Sequence, residues 1–410
     1  LKKESENLTI QATKLNPVYL LKTHKAFAVY LATIVLMAVA HGIELTALFP
    51  LYLHDTMNEG ADLIGITLSS YLVTDIFIRT PAGWLADRWA RKPVLLIGIV
   101  LSALPLLAMP RVDSPELFLL LNAINGIGAG CVWPALYASV ADRYGRARYG
   151  LLLGIINMAL LGGIALGPIA GGLLLSRVSY VTAFYVCFAL VAIALVLVIF
   201  FVRDHPKSDA PIETHGIGAW RGLARQMTPT LTRLLVIGTL LTLGIGMMLP
   251  LVSLFGRDVL RVTPDVFAFM LIPPGLITAA LIIPAGHWAD KHGRHLPLIV
   301  GLILIAIPFA GAPLSTNLFI VSAGATVAGI GYALMVPAWN ALVMEWVPAT
   351  SRGLFLGAVA TAQGFGLAIG PTIGGELWER VGVYAPFGAA AFFLALAAVL
   401  SVVEARRHPN

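Results

Sequence analysis

The sequence predicts an all-α membrane protein, with twelve transmembrane helices in two six-helix repeat bundles. Three observations carry that expectation. First, the 410 residues are 58% hydrophobic and 12% charged, with a mean hydropathy of +0.87. A water-soluble chain of this size cannot hide so much apolar surface, so the excess must face lipid. Second, the apolar runs are about 18 to 27 residues long, enough to cross a bilayer as helices and far above the ~10 residues of a barrel strand. Third, segments recur at one spacing. Gly83-Trp84-Leu85-Ala86-Asp87-Arg88-Trp89-Ala90-Arg91-Lys92 returns 203 positions later as Gly286-His287-Trp288-Ala289-Asp290-Lys291-His292-Gly293-Arg294-His295. Gly167-Pro168-Ile169-Ala170-Gly171-Gly172 returns as Gly370-Pro371-Thr372-Ile373-Gly374-Gly375, also 203 positions on. Pro81 and Pro284, Pro105 and Pro308, and Pro134 and Pro337 keep the interval. Two like halves in a membrane imply alternating access, one half rocking against the other around a central site.

Taken in order, residues 1–25 form an N-terminal segment with five lysines and no apolar core, which does not read as a cleavable signal peptide. The first bundle, 26–202, holds expected spans at 26–53, 63–85, 93–110, 116–140, 149–175 and 181–202. A linker follows at 203–230; it is polar, carries Pro206 and Pro211, and offers a short amphipathic helix at 216–226 with Trp220 at the headgroups. The second bundle, 231–404, holds spans at 231–256, 265–289, 297–314, 318–344, 353–377 and 384–404, and 405–410 is a tail. Of the 27 basic residues, 21 fall on the side of the two termini and the linker, and five fall on the other; the last, Arg79, lies inside a span. The positive-inside rule therefore puts both termini in the cytoplasm, in a multi-pass protein of the inner or plasma membrane. The net charge of +6 is a topology signal and calls for no nucleic-acid partner. Cys131 and Cys187 lie within spans and lack metal-ligand spacing, so no metal site is expected.

The repeated loop has readable physics. Gly83 and Gly286 let another helix approach closely. Asp87 and Asp290, at helix ends, can accept hydrogen bonds from a neighbouring helix N-terminus or from arginine. Arg88, Arg91 and Lys92 hold the loop on the inner face, with Arg294 in the second copy. Such a latch would be made in one conformation and broken in the other. Asp142 and Glu345, also 203 apart, sit at helix ends near Arg148 and Arg352 and read as latch partners. This Gly-x-x-x-Asp-Arg/Lys-x-x-Arg loop, with six-plus-six spans and a central linker, resembles the major facilitator superfamily along essentially the whole chain. Gly163-x-x-x-Gly167-Pro168-x-x-Gly171-Gly172, with its partial copy Gly366-x-x-x-Gly370-Pro371-x-x-Gly374-Gly375, resembles the motif of that superfamily's proton-coupled antiporters. Close helix packing explains the same residues. Drug antiporters of the superfamily usually carry an arginine early in the fourth span, where this chain reads Asn122-Ala123-Ile124-Asn125-Gly126. A narrower likeness, to lipoteichoic-acid glycolipid flippases, rests on Pro337-Ala338-Trp339-Asn340, on Gln363-Gly364-Phe365-Gly366, and on Asp75 and Trp133. Those flippases place a Glu and an Arg in span one where this chain has Ala38 and His41.

Ionisable side chains inside a membrane are costly, so each is a candidate site. His41 and Glu44 share a face of span one, Asp75 and Arg79 are spaced to pair on span two, and Asn122 and Asn125 share a face of span four. Glu44 and Asn125 lie at similar depth, about 14 Å in. Glu44, with only His41 on its face, is the better candidate for a carboxyl that gains and loses a proton, and Asp75 for a structural partner of Arg79. In the second half Asp75 maps to Thr278, Arg79 to Ile282, Asn122 to Ala325, Asn125 to Ala328 and Asn157 to Ala360, and Glu44 falls near Met247. Polarity runs the other way at Tyr137, which maps to Asn340, and at Leu160, which maps to Gln363. The expected cavity thus has a polar wall (Asn122, Asn125, Trp133, Tyr137, Asn157) facing an apolar one with Met247 and Met270, alongside Trp339, Asn340 and Gln363. That suits an amphipathic drug-like compound or lipid.

The expectation is a monomeric secondary transporter that exports or flips such a substrate in exchange for protons. It needs no cofactor beyond the proton gradient and has membrane lipid as its surroundings. The same-fold rival is a proton-coupled uptake symporter for a polar solute. An intramembrane enzyme or receptor is the remote alternative, since no hydrolase, metalloprotease or redox motif stands in the chain.

Overall fold

The structure, a computed structural model, describes residues 25–144, 149–202, 227–347 and 352–407. The expected surface helix at 216–226 and most of the linker lie outside the described residues, as do residues 1–24. Among the described residues, twelve helices are long and apolar enough to cross a membrane. Helix α1 runs as Lys25–Ile43, passes through a π-helical turn at Glu44–Leu48 and continues as Phe49–Asp55. Then come α2 (Ala61–Arg88), α3 (Arg91–Ala108), α4 (Pro115–Tyr144), α5 (Tyr149–Leu175) and α6 (Tyr180–Phe201). The second half holds α7 (Pro229–Leu254, extended by a π turn Phe255–Val259), α8 (Pro264–His292), α9 (His295–Gly311), α10 (Leu318–Trp346), α11 (Arg352–Arg380) and α12 (Ala385–Arg407).

Local sequence sets where these helices start and stop. Ser179, Thr228 and Asn317 cap α6, α7 and α10 by accepting backbone N–H bonds of the first turn. Pro229 and Pro264 enter at the first turn, where a missing N–H costs nothing. Gly293 ends α8 at φ 88°, a conformation that favours glycine. Its counterpart Ala90 turns instead through extended backbone, at φ −165°. The two repeats therefore make the same loop by different backbone routes.

Each half packs in the same pattern. In the first, α1 lies on α5 and α6, α3 on α4 and α6, and α2 on α4; in the second, α7 lies on α11 and α12, α9 on α10 and α12, and α8 on α10. The halves meet along two seams, α2 with α11 and α5 with α8, and the Glu44–Asp55 part of α1 also contacts α7. Glycines from the repeated motif make the seams possible. A Cβ on Gly172 would overlap the Pro264 carbonyl, and one on Gly375 would overlap the Ala61 carbonyl. These two positions are related by the repeat, so each half sends the last glycine of its motif into the other.

The seams are tight at one end and spread at the other. Gly65, Gly172 and Gly375 meet the backbone of the opposite half. Farther along, Gly364 meets only the Ile76 side chain, and Gly275 meets Ile169 at 3.7 Å. Near the Asp87 loop, Gly83 and Gly286 meet only their own halves, through Pro134 at 3.8 Å and Pro337 at 3.5 Å. The bonds joining the halves follow the same gradient. Ser69 Oγ lies 2.7 Å from Thr372 Oγ1, and the Ala61 N–H donates to Glu379 at 2.7 Å, both toward the tight end. The molecule is closed where α1 turns into α2 and opens toward the Asp87 loop.

Candidate coupling and substrate site

Glu44 is the first residue of the π turn in α1 and is fully buried. Such turns recur at functional sites because they rotate one side chain out of the helical register. Asn125 Nδ2 donates to Glu44 Oε2 at 2.9 Å. Asn122 Nδ2, one turn earlier on α4, donates to the Thr67 carbonyl at 2.8 Å. His41 Nδ1 lies 2.7 Å from the Met37 carbonyl, and its ring rests against Tyr71 and Trp133, with centroids 5.8 Å and 6.4 Å away. With Nδ1–H donated, the neutral ring presents Nε2 as an acceptor.

Glycines place this cluster. A Cβ on Gly126 would overlap Thr74 Oγ1 and the Tyr71 carbonyl, so α4 can press on α2 only through a glycine. Thr74 Oγ1 then donates to the Ala123 carbonyl at 2.9 Å. On the other side, Gly163 meets Ala38, Gly167 meets Gly42 and Gly171 meets Ala47. The antiporter-like motif is therefore the surface against which the Glu44 turn is held. Inside it, Glu44 Oε1, Asn122 Oδ1, Asn125 Oδ1, Thr67 Oγ1 and His41 Nε2 are buried without a hydrogen-bond partner. Buried polar atoms are ordinarily bonded, so among the described residues of the first half uncompensated polarity is concentrated at this place.

Asp75 is buried, and both its oxygens accept from Arg79, at 3.1 Å and 2.6 Å. Arg79 is half exposed. Tyr137 donates to Asn157 at 3.1 Å, and Asn157 is exposed. Across the molecule the expected apolar residues divide. Met247 is fully buried, with its backbone against Gly370 and Gly374. It packs at the closed end rather than lining open space, because small residues on α11 draw α7 down onto them. Met270 is partly buried and Asn340 is exposed. Trp339 is buried beside Gly238, with partly buried Gln363 on the same glycine.

The loop motif forms one ion-pair pattern twice. Arg91 Nε binds Asp142 at 3.0 Å, and Arg294 Nη1 binds Glu345 at 2.7 Å. The repeat relates the two pairs. Asp142 and Glu345 thus bind Arg91 and Arg294. The chain folds α3 and α9 back along α4 and α10, and that brings the motif arginines to those acids. Arg148 and the side chain of Arg352 lie outside the described residues. Asp87 pairs with Arg91 in its own half, Arg88 lies over Trp84 at 5.4 Å, and Asp290 is exposed.

Tyr71 and Thr67 belong to the Glu44 cluster and were not singled out by sequence. They are ordinary span residues whose role comes from α2 facing α1 and α4. A charged quartet at the closed end was missed as well, although the 203-residue interval applied to His54-Asp55 and Arg257-Asp258 would have found it.

Two six-helix repeats, parted at one end and sealed at the other around a buried titratable cluster, define a membrane transporter. The chain belongs to the Major Facilitator Superfamily, whose family model matches residues 26–273 and 234–410. It is accordingly a transporter of that family and not an enzyme. It is 26% identical to the multidrug resistance protein MdtG of Klebsiella pneumoniae, over 86% of this chain and 85% of that one. It is 23% identical to the proton-coupled antiporter flippase LtaA of Staphylococcus saprophyticus, over 87% of this chain and 88% of that one. Among solved structures, the nucleoside transporter NupG superposes with a TM-score of 0.76 at 17% identity, covering 92% of this chain and 98% of the other.

Proposed function

We propose that this transporter is a proton-coupled antiporter that exports or flips an amphipathic substrate. The observation that carries the reading is the Glu44 cluster. A carboxyl, an imidazole and two carboxamides are buried together in the first half, while the repeat-related positions of the second half are Ala325 and Ala328 for the carboxamides. A buried carboxyl beside a titratable imidazole can take up and release a proton. A half with buried carboxamides, set against one with alanines at the matching positions, suits a molecule with a polar head and an apolar body. The likeness to a multidrug resistance protein and to a proton-coupled flippase supports both parts of this reading.

The basic-residue count supports a cytoplasmic open end, and on that reading the state is inward-facing. Protons enter from outside as substrate leaves, with Glu44 carrying the proton and His41 modulating it. Asp75 and Arg79 serve the switch between states as a fixed pair. The Asp87 and Asp290 loops engage the opposite half when the cytoplasmic end closes.

Reconstitution in liposomes with an imposed pH gradient tests this. Cationic dyes and fluorescent glycolipids are offered in parallel, and proton flux is recorded beside substrate flux. Substrate movement against its gradient, with protons moving the opposite way, is expected. Co-directional movement of protons and a polar solute would replace antiport with symport.

A further inference from the structure

At the closed end four ionisable residues, related in pairs by the repeat, meet across the two halves. His54 and Asp55 end α1, and Arg257 and Asp258 lie in the π turn that ends α7. Each half thus presents a base followed by an acid, 203 positions apart. The bases cross over. Arg257 Nε lies 3.3 Å from both oxygens of Asp55, and His54 Nε2 lies 3.4 Å from Asp258 Oδ2. One arm carries a permanent charge, because arginine does not lose its proton in proteins. The other arm is an ion pair only when His54 is protonated. The four side chains are between one-fifth and about half exposed, so water and protons reach them.

The surroundings of His54 favour a charge-dependent clasp. His54 Nδ1 lies 3.0 Å from Asp55 Oδ1, so the imidazole bridges two carboxylates on opposite halves. Tyr180 of α6 donates to Asp55 Oδ2 at 2.6 Å. Glu379 of α11 lies within electrostatic range of Asp258 and accepts from the Ala61 N–H. Arg261 shares with Asp55 and Arg257 the wall of a cavity of about 370 Å³. Three carboxylates therefore gather where the halves meet, and a neutral His54 leaves Arg257 as the only cation bonded across the seam in this quartet.

We propose that His54, Asp55, Arg257 and Asp258 are the gate of the closed end, a reciprocal clasp whose His54–Asp258 arm makes closure depend on the pH of that side. The clasp must break for the cleft to open there. The sign follows from the imidazole. A proton on His54 adds an attraction to Asp258 across the seam and favours closure, and loss of that proton removes the attraction. Assigning this side as the outer one rests on the orientation proposed above.

The test uses the full chain in proteoliposomes, with Cys131 and Cys187 replaced by alanine. Spin labels are placed at Asp113 and Leu314, exposed positions of the two halves at the closed end. Distances are recorded while outer and inner pH are varied separately between about 5.5 and about 8, without substrate. Lower pH on one side should raise the closed population about two- to fivefold in the parent protein. H54Q should abolish that response and keep partial closure, and D258N, which removes the same arm from the other half, should do likewise. R257Q should lower closure at every pH, and D55R combined with R257D should restore it. A pH response in H54Q and D258N equal to the parent's, or undiminished closure in R257Q, would overturn the clasp. A response to inner rather than outer pH supports the clasp while reversing the orientation. Substrate and coupling play no part, so antiport and clasp stand or fall separately.

Discussion

Asn125 donates a hydrogen bond to Glu44 across 81 residues of sequence, and both side chains are fully buried. The bond ties α4 to the irregular turn of α1 and leaves one oxygen of the carboxyl free to be protonated. Glu44→Gln keeps the shape and the Asn125 contact but removes the proton site. It is expected to abolish pH-driven transport and to retain substrate binding and downhill exchange. Asp75→Asn should instead impair folding or switching, since Asp75 is doubly bonded to Arg79. Proton and substrate fluxes measured together in proteoliposomes distinguish these outcomes; coupled proton movement in Glu44→Gln would place the coupling site elsewhere, with Asp75 next in line.

Asn125→Ala removes the donor and leaves Glu44 buried without it. Stranding a buried acceptor costs about 1–3 kcal/mol. Thermal unfolding of the purified protein should show that loss, and Asn125→Gln should recover little, because the longer chain misplaces the amide. Stability unchanged in Asn125→Ala would mean that the bond contributes nothing net.

The glycines at the seams should respond by position. Gly172→Ala and Gly375→Ala place a methyl group on carbonyls of the opposite half, so they should shift the equilibrium away from the closed end seen here. Gly167→Ala collides with Gly42 within one half and should lower stability instead. Gly154 has open space around it, and Gly154→Ala should be neutral or slightly stabilising, by about 1 kcal/mol at most. Thiol accessibility at the two ends, measured beside thermal stability, separates the three classes. Equal effects at Gly154 and Gly375 would remove the role given to close approach.

The loop motif should act through its arginine. Asp87→Asn is expected to reduce transport strongly with expression intact, because the proposed latch has Asp87 engaging the opposite half when the open end closes. Asp290→Asn should have a smaller effect, since its loop carries Lys291 and His295 where the first copy has Arg88 and Lys92. Arg91→Lys should weaken the Asp142 contact and lower stability modestly, as lysine lacks the guanidinium fork. Transport assays paired with membrane expression levels check each variant; full transport by Asp87→Asn would remove the latch.

Selectivity offers a separate check on the polar and apolar walls. Asn157→Ala, at an exposed position of the first half, should weaken recognition of a polar head group, whereas substitutions at Met270 should alter preference for apolar bulk. Met247, buried against Gly370 and Gly374, should change stability more than selectivity. Binding across substrates with varied heads and tails is the measurement, and identical selectivity changes from Asn157 and Met270 variants would refute the division.

Much of this architecture was legible in the chain itself. Lipid offers the backbone no partners, so apolar runs of sufficient length can only be helices, and their number and order follow from composition. The 203-residue interval fixed the two-fold internal repeat, and with it the pairing of Gly172 with Gly375 and of Arg91 with Arg294. The common depth of Glu44 and Asn125 could be counted from helical rise, and in the fold they touch. What the chain alone did not decide was which helices face one another and which end is closed. Tyr71 and Thr67 join Glu44 only because α2 lies against α1 and α4, and Met247 leaves the cleft only because glycines on α11 draw α7 close. The π turn at Glu44 and the crossed pairing of His54 and Arg257 also belong to tertiary structure. Spacing sets which residues share a helix face, but contacts between distant helices depend on where small side chains let backbones meet.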